Sequence, residues 1–211
     1  MFRRLFEPDS DLMILMSWIT DIIFLSLFWI AGSVLVLTAG ASAAALYDAV
    51  FYGFRKRSKH SWGRFWRTWL KSLKASLVPT VLCVPLGIGI GWAGIQLWNG
   101  AVTEGNWMLL AVGAVIGVVL LGMMSILFPM LSRFENSLGQ LLGNTVRLSL
   151  AHLPRTVAVG LIQSVTVFAC VRLVIPVFLL PALSSLLTTL FIEPMFKPYL
   201  PEDFYEILSE N

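Results

Sequence analysis

The chain has 211 residues, of which 57% are hydrophobic and only 13% charged, with a mean hydropathy of +0.81. A water-soluble fold of this length cannot cover so much apolar surface, so the composition excludes an ordinary soluble domain and points to a bilayer. Lys and Arg number 15 against 12 Asp and Glu. The basic residues cluster between hydrophobic runs, which makes them markers of membrane topology and gives no footprint for nucleic acid.

Arg3 and Arg4 open the sequence, but Glu7, Asp9 and Asp11 interrupt before the first apolar run and no small-residue cleavage site follows. A cleaved signal peptide is therefore not expected. A helix needs about 20 apolar residues to cross the hydrocarbon core, and residues 12–37 meet that length. Residues 40–54, rich in Gly and Ala, are shorter and fit either a tilted crossing or a re-entrant helix. The segment that follows carries Arg55, Lys56, Arg57, Lys59, Arg64, Arg67, Lys71 and Lys74, which the positive-inside rule holds in the cytoplasm together with Arg3 and Arg4. Both conditions are met when 40–54 crosses. Residues 75–97 and 107–131 are two further crossings. Residues 156–196 are long enough for two, and Pro176 and Pro181 divide them into 156–175 and 178–196.

The expected fold is thus all-α: a polytopic membrane protein forming one transmembrane domain. It has about six crossings, both termini in the cytoplasm, and cytoplasmic amphipathic segments at 58–74 and 134–154. This arrangement leaves only Arg172, of all the Lys and Arg residues, toward the outside. Laying residues 61–81 on residues 137–157 matches Ser, Gly, Ala, Leu, Thr and Val, with Lys71 opposite Arg147. An internal repeat is expected, its two copies in the same orientation about an axis along the membrane normal.

Within the first amphipathic segment, Trp62, Phe65, Trp66, Trp69 and Leu73 share one helical face while Arg64, Arg67, Lys71 and Lys74 fall largely on the other. That pattern fits a helix lying at headgroup level, or one docking a cytoplasmic partner. Trp62, Trp66, Trp69, Arg64 and Arg67 are candidate contacts. Glu135, Asn144 and Arg147 are their counterparts in the second segment. Ionisable residues at membrane depth are functional candidates by default, and here these are Asp21, Asp48 and Arg172. An Asp48–Arg172 pair would offset the desolvation of each. Gly113, Gly117 and Gly122 suit close helix packing. Cys83 and Cys170 lie in apolar runs and suggest neither a disulfide nor a metal site. His60 and His152 lack metal-ligand spacing, and no phosphate-binding loop, zinc-protease helix or paired nucleophile is present, so no cofactor and no enzymatic activity are expected.

Thr38 and Gly40 with the Ala-rich run to Tyr47, the basic segment SWGRFWRTWLKSLKAS, Arg133-Phe134-Glu135-Asn136, Asn144 and Leu153-Pro154 together resemble the YesL family of bacterial membrane proteins along nearly the whole chain. One departure is Leu35, where the family pattern suggests a Pro before the Thr-x-Gly element. The resemblance implies a companion of carbohydrate ABC importers in the bacterial inner membrane. The expectation is an accessory, non-catalytic subunit contacting permeases and the lipid bilayer, with oligomerisation compatible and no nucleic acid bound. A small stand-alone transporter or channel, with Asp48 and Arg172 lining its path, and a membrane scaffold are the alternatives.

Overall fold

Hydrophobic runs and their breakers become seven α-helices in a computed structural model, which describes residues 11–55, 61–134, 137–173 and 175–200; no strand occurs among them. Helix α1 is Asp11–Ser33. A 3-10 turn at Val36–Thr38 follows, where the Thr38 hydroxyl donates to the carbonyl of Gly32, closing the end of α1. Helix α2, Ala39–Val50, runs on into a π-helical turn, Phe51–Arg55. Helices α3, Ser61–Glu104, and α4, Trp107–Arg133, form a long antiparallel hairpin turning at Gly105, whose φ of 72° is open to glycine at little cost. Then come α5, Leu138–Ala151, α6, Leu153–Arg172, and α7, Leu180–Phe196.

The smallest side chains decide which helix is central. Gly40, Ala41, Ser42, Ala44 and Ala45 let α2 sink among α1, α3, α4 and α7, so that nearly its whole length is buried. A Cβ on Gly40 would collide with Thr80 of α3 and Phe128 of α4. Helices α4 and α6 meet as closely: side chains at Gly122 and Gly160 would strike the backbone carbonyls of Thr156 and Val118. Gly113 instead faces the side chain of Leu97, and Gly117 lies in ordinary contact with Ile90.

Among the described residues three helices, α3, α4 and α6, are long and apolar enough to cross a membrane. Their outer faces expose Ile88, Trp92 and Ile95, then Met108, Val115 and Ile116, then Val165, Phe168 and Val171. Such surface suits lipid.

In one element the structure departs from the expected boundaries. The segment 58–74 is not a separate helix ahead of 75–97; from Ser61 it is the first part of α3, which runs 44 residues to Glu104. The stretch Leu70–Val78 contains neither Gly nor Pro to stop it. At Pro79 the chain loses one intrahelical donor, yet the helix continues, with the neighbouring Thr80 hydroxyl bonded to the Ser76 carbonyl at 2.6 Å. Helix α2 has 12 residues, about 18 Å at about 1.5 Å each, and its π-helical continuation adds five more, short of the about 30 Å of a hydrocarbon core, as the length of 40–54 already implies.

Candidate functional site

The carboxyl ends of α2, α4 and α7 meet the amino end of α3. Three helix termini carrying partial negative charge, with Asp48 and Glu193 among them, create a demand for cations. Arg133, the last residue of α4, meets it from a side chain only 1% exposed: its Nη1 donates to Asp48 Oδ1 and its Nη2 to Glu193 Oε1 at 2.9 Å. Arg64, in the first turn of α3, donates through Nε to the second oxygen of Asp48 at 2.9 Å, and the Thr68 hydroxyl reaches the same oxygen at 2.8 Å. The Tyr47 hydroxyl donates to Glu193 Oε1 at 3.1 Å. Among the described residues, two guanidiniums and two carboxylates thus form a largely buried cluster linking four helices.

Aromatic rings enclose it. Tyr52 presents its face to Arg64, whose Cζ lies 3.4 Å from the ring centroid, and Arg133 lies 5.3 Å from the same ring and 4.8 Å from that of Phe51. These contacts spread the positive charge over polarizable surface where water is excluded. The hydroxyl of Tyr52 is buried and has no hydrogen-bond partner among the described residues.

Beside this cluster a cleft of about 370 Å³ opens between the ends of α4 and α7 and one face of α5. Its walls are Met130 and Phe134, Leu148 and Ala151, and Phe196; its polar groups are Asn144, Arg147 and Tyr199. Helix α5 is held in place by a capping box, in which the Gln140 side chain accepts from the Ser137 backbone N–H at 3.1 Å. One face of α5, with Leu141, Thr145, Leu148 and Ser149, is buried against the bundle. Asn144 and Arg147 are exposed, and among the described residues neither forms a hydrogen bond or ion pair. An apolar trough with an unmatched cation and an amide at its edge can take apolar side chains flanked by an acidic group.

Several expected sites are repositioned. Asp48 and Arg172 do not pair: Asp48 is bound by Arg64, Arg133 and Thr68, while Arg172 is exposed at the end of α6 with its guanidinium 5.4 Å from the Phe168 ring. The reason is depth, since Asp48 sits in the last turn of α2, where Arg133 ends α4. Asp21 is half-buried and accepts a hydrogen bond from Trp62 Nε1 at 2.9 Å. The tryptophan face of α3 turns inward onto α1 and α2. Trp62 stacks on Phe24 and Phe28, Trp66 packs on Phe28, and Trp69 Nε1 donates to Ser42 at 3.1 Å. The surface expected to meet lipid or a partner is therefore largely spent within the fold, although Trp62 and Trp66 keep about two-fifths of their area exposed. Arg67 stays on the exposed face, and Glu135 lies outside the described residues.

Arg133 and Glu193 are the residues sequence reading missed as a site. Glu193, between Ile192 and Pro194 in an apolar helix, carries the same signal that singled out Asp48. No family model, curated protein or solved structure matches the chain.

Proposed function

We propose that the protein is an accessory, non-catalytic subunit of a carbohydrate ABC importer in the bacterial inner membrane, and that it holds a cytoplasmic segment of a permease in the cleft between α4, α5 and α7. The observation that carries this is the combination of apolar walls with the unmatched Arg147 and Asn144. An amphipathic segment with an acidic residue next to its apolar face complements that surface. The YesL resemblance supplies the importer. The positive residues supply the orientation: the basic stretch 55–74 and the Arg133–Arg155 region face the cytoplasm, and the polar turn between α3 and α4 faces outward.

The repeat is part of the same reading. Thr80 and Thr156, equivalent in the two copies, each donate a side-chain hydrogen bond to the carbonyl four residues earlier, at Ser76 and His152. The first copy, however, is one helix and the second breaks at His152. A stand-alone transporter draws less support, because Asp48 is saturated by three partners and stands apart from Arg172. A membrane scaffold remains compatible with the cleft, distinguished by the identity of what it binds.

The test is recovery of permeases with a tagged chain after extraction in mild detergent. Arg147→Glu reverses the charge at the cleft edge and Ala151→Trp fills the trough; each is expected to cut recovery at least about tenfold, the equivalent of about 1.4 kcal/mol, while thermal stability in detergent stays unchanged. Purification of the wild type as a lone, stable oligomer would refute the proposal.

A further inference from the structure

The connection between α1 and α2 is an exposed turn made of apolar residues. Val34, Leu35, Val36 and Leu37 follow one another with 75%, 69%, 57% and 54% of their area exposed. In water such a run would be costly, at about 25 cal/mol for each Å² of apolar surface left uncovered. Full crossings by α1 and α2 would put this turn in the outer aqueous phase.

The packing of α2 fixes where the turn lies along the longer helices. Gly40, two residues beyond the 3-10 turn, is seated against Thr80 of α3 and Phe128 of α4. From Thr80 helix α3 continues to Glu104, and α4 runs from Trp107 to Phe128. At 1.5 Å per residue those stretches measure about 36 Å and about 32 Å. Each alone is sufficient for the about 30 Å of a hydrocarbon core. The turn at the far end of α3, with Trp98, Asn99, Glu104, Asn106 and Trp107, has the polar and aromatic composition of a membrane surface. The tip of the α1–α2 hairpin therefore stops far short of that surface. On the other side of Thr80, the exposed Lys74 lies six residues away, about 9 Å along the helix, close enough for its ammonium to reach headgroups by snorkelling.

We infer that α1 and α2 are not two crossings but one re-entrant hairpin, whose Val34–Leu37 tip is sunk among the acyl chains of the cytoplasmic leaflet. The hairpin enters and leaves on the same side as the basic stretch, so the membrane is crossed by the longer helices behind it. A turn at this depth is tolerable because several of its backbone carbonyls are satisfied locally: Thr38 N–H and the Thr38 hydroxyl both donate to the Leu35 carbonyl, at 2.8 Å each, the hydroxyl also reaches the Gly32 carbonyl, and Ala39 N–H donates to that of Val36. The inference rests on the orientation proposed above.

The test uses the full chain with Cys83→Ala and Cys170→Ala as background and single cysteines introduced by Val36→Cys, Asn106→Cys and Gly139→Cys, all exposed positions. Membrane-impermeant maleimide added to intact cells should modify the cysteine at 106 and neither of the others. After reconstitution in phosphatidylglycerol–phosphatidylethanolamine vesicles, a nitroxide at 36 should be relaxed more by oxygen than by a water-soluble nickel chelate, and one at 106 the reverse. Labelling from outside at 36 at the rate seen at 106 would overturn the hairpin. So would chelate-dominated relaxation at 36. Labelling from outside at 139 and not at 106 would instead overturn the orientation.

Discussion

Replacing Arg133 by Met keeps most of the volume of the side chain and removes the charge that serves Asp48 and Glu193 together. The two carboxylates fare differently. Asp48 retains Arg64, 20% exposed, and the Thr68 hydroxyl, whereas Glu193 loses its ion pair with Arg133 and keeps the hydrogen bond from the Tyr47 hydroxyl. Losing one partner of a buried pair costs about 3–5 kcal/mol, chiefly because a charge is left desolvated. With Asp48 half rescued, the loss falls at the lower end, about 3 kcal/mol, or about two orders of magnitude in the folding equilibrium. Adding Glu193→Gln to Arg133→Met also removes the buried carboxylate that Arg133 served, so the double variant should be more stable than Arg133→Met alone by about 1–2 kcal/mol. Reversible unfolding in mixed micelles with increasing sodium dodecyl sulfate, followed by tryptophan fluorescence, measures both. A loss below about 1 kcal/mol, the scale of an exposed salt bridge, or strict additivity in the double variant, would refute the view that Arg133 neutralises a buried pair of acids.

The close helix contacts make a paired prediction. Gly122→Ala and Gly160→Ala push a methyl into the carbonyls of Thr156 and Val118 and should each cost about 1–3 kcal/mol, while Gly94→Ala, which meets nothing within 4 Å, should be neutral or stabilising by up to about 1 kcal/mol in the same unfolding assay. Trp69→Phe removes the hydrogen bond to Ser42 with little change of bulk, and thermal stability should fall by about 0.5–1.5 kcal/mol. A Trp69→Phe protein that keeps its stability but loses permease would restore the tryptophan face as a docking surface.

The all-helical class was legible because long apolar runs leave the chain no other way to satisfy its backbone in lipid. One local stop was legible too: Pro176 lies in the 3-10 turn separating α6 from α7. What could not be read was which helix neighbours which. Asp48 was recognisable as a costly ion, yet its partner lies 85 residues on, at a helix end where an Arg is ordinarily taken as a cytoplasmic marker. Nothing in periodicity distinguishes an aromatic stripe facing lipid from one packed on α1 and α2; both are apolar faces of period 3.6. The short, small-residue sequence of α2 reads as a weak crossing because a hydropathy scan measures apolar content and ignores size, and size is what places this helix at the centre of the bundle.

The buried ionic cluster and the cleft are linked through the same two helix ends. Arg133 is next to Phe134 and one turn from Met130 on α4; Glu193 is one turn from Phe196 on α7, and these three neighbours line the cleft. Two cleft walls are therefore joined by a buried ion pair behind them, and α2 is joined to α4 through Asp48 and to α7 through Tyr47. If the cleft must be preformed to hold its partner, removing the ion pair should weaken binding even though no atom of it lines the cleft. Arg133→Met and Ala151→Trp should then both lose permease, for different reasons: the first with lowered stability and recovery on adding Glu193→Gln, the second with stability intact and no such rescue. Equal permease recovery by wild type and Arg133→Met, at a temperature where both are folded, would separate the cluster from binding and leave it a packing device only.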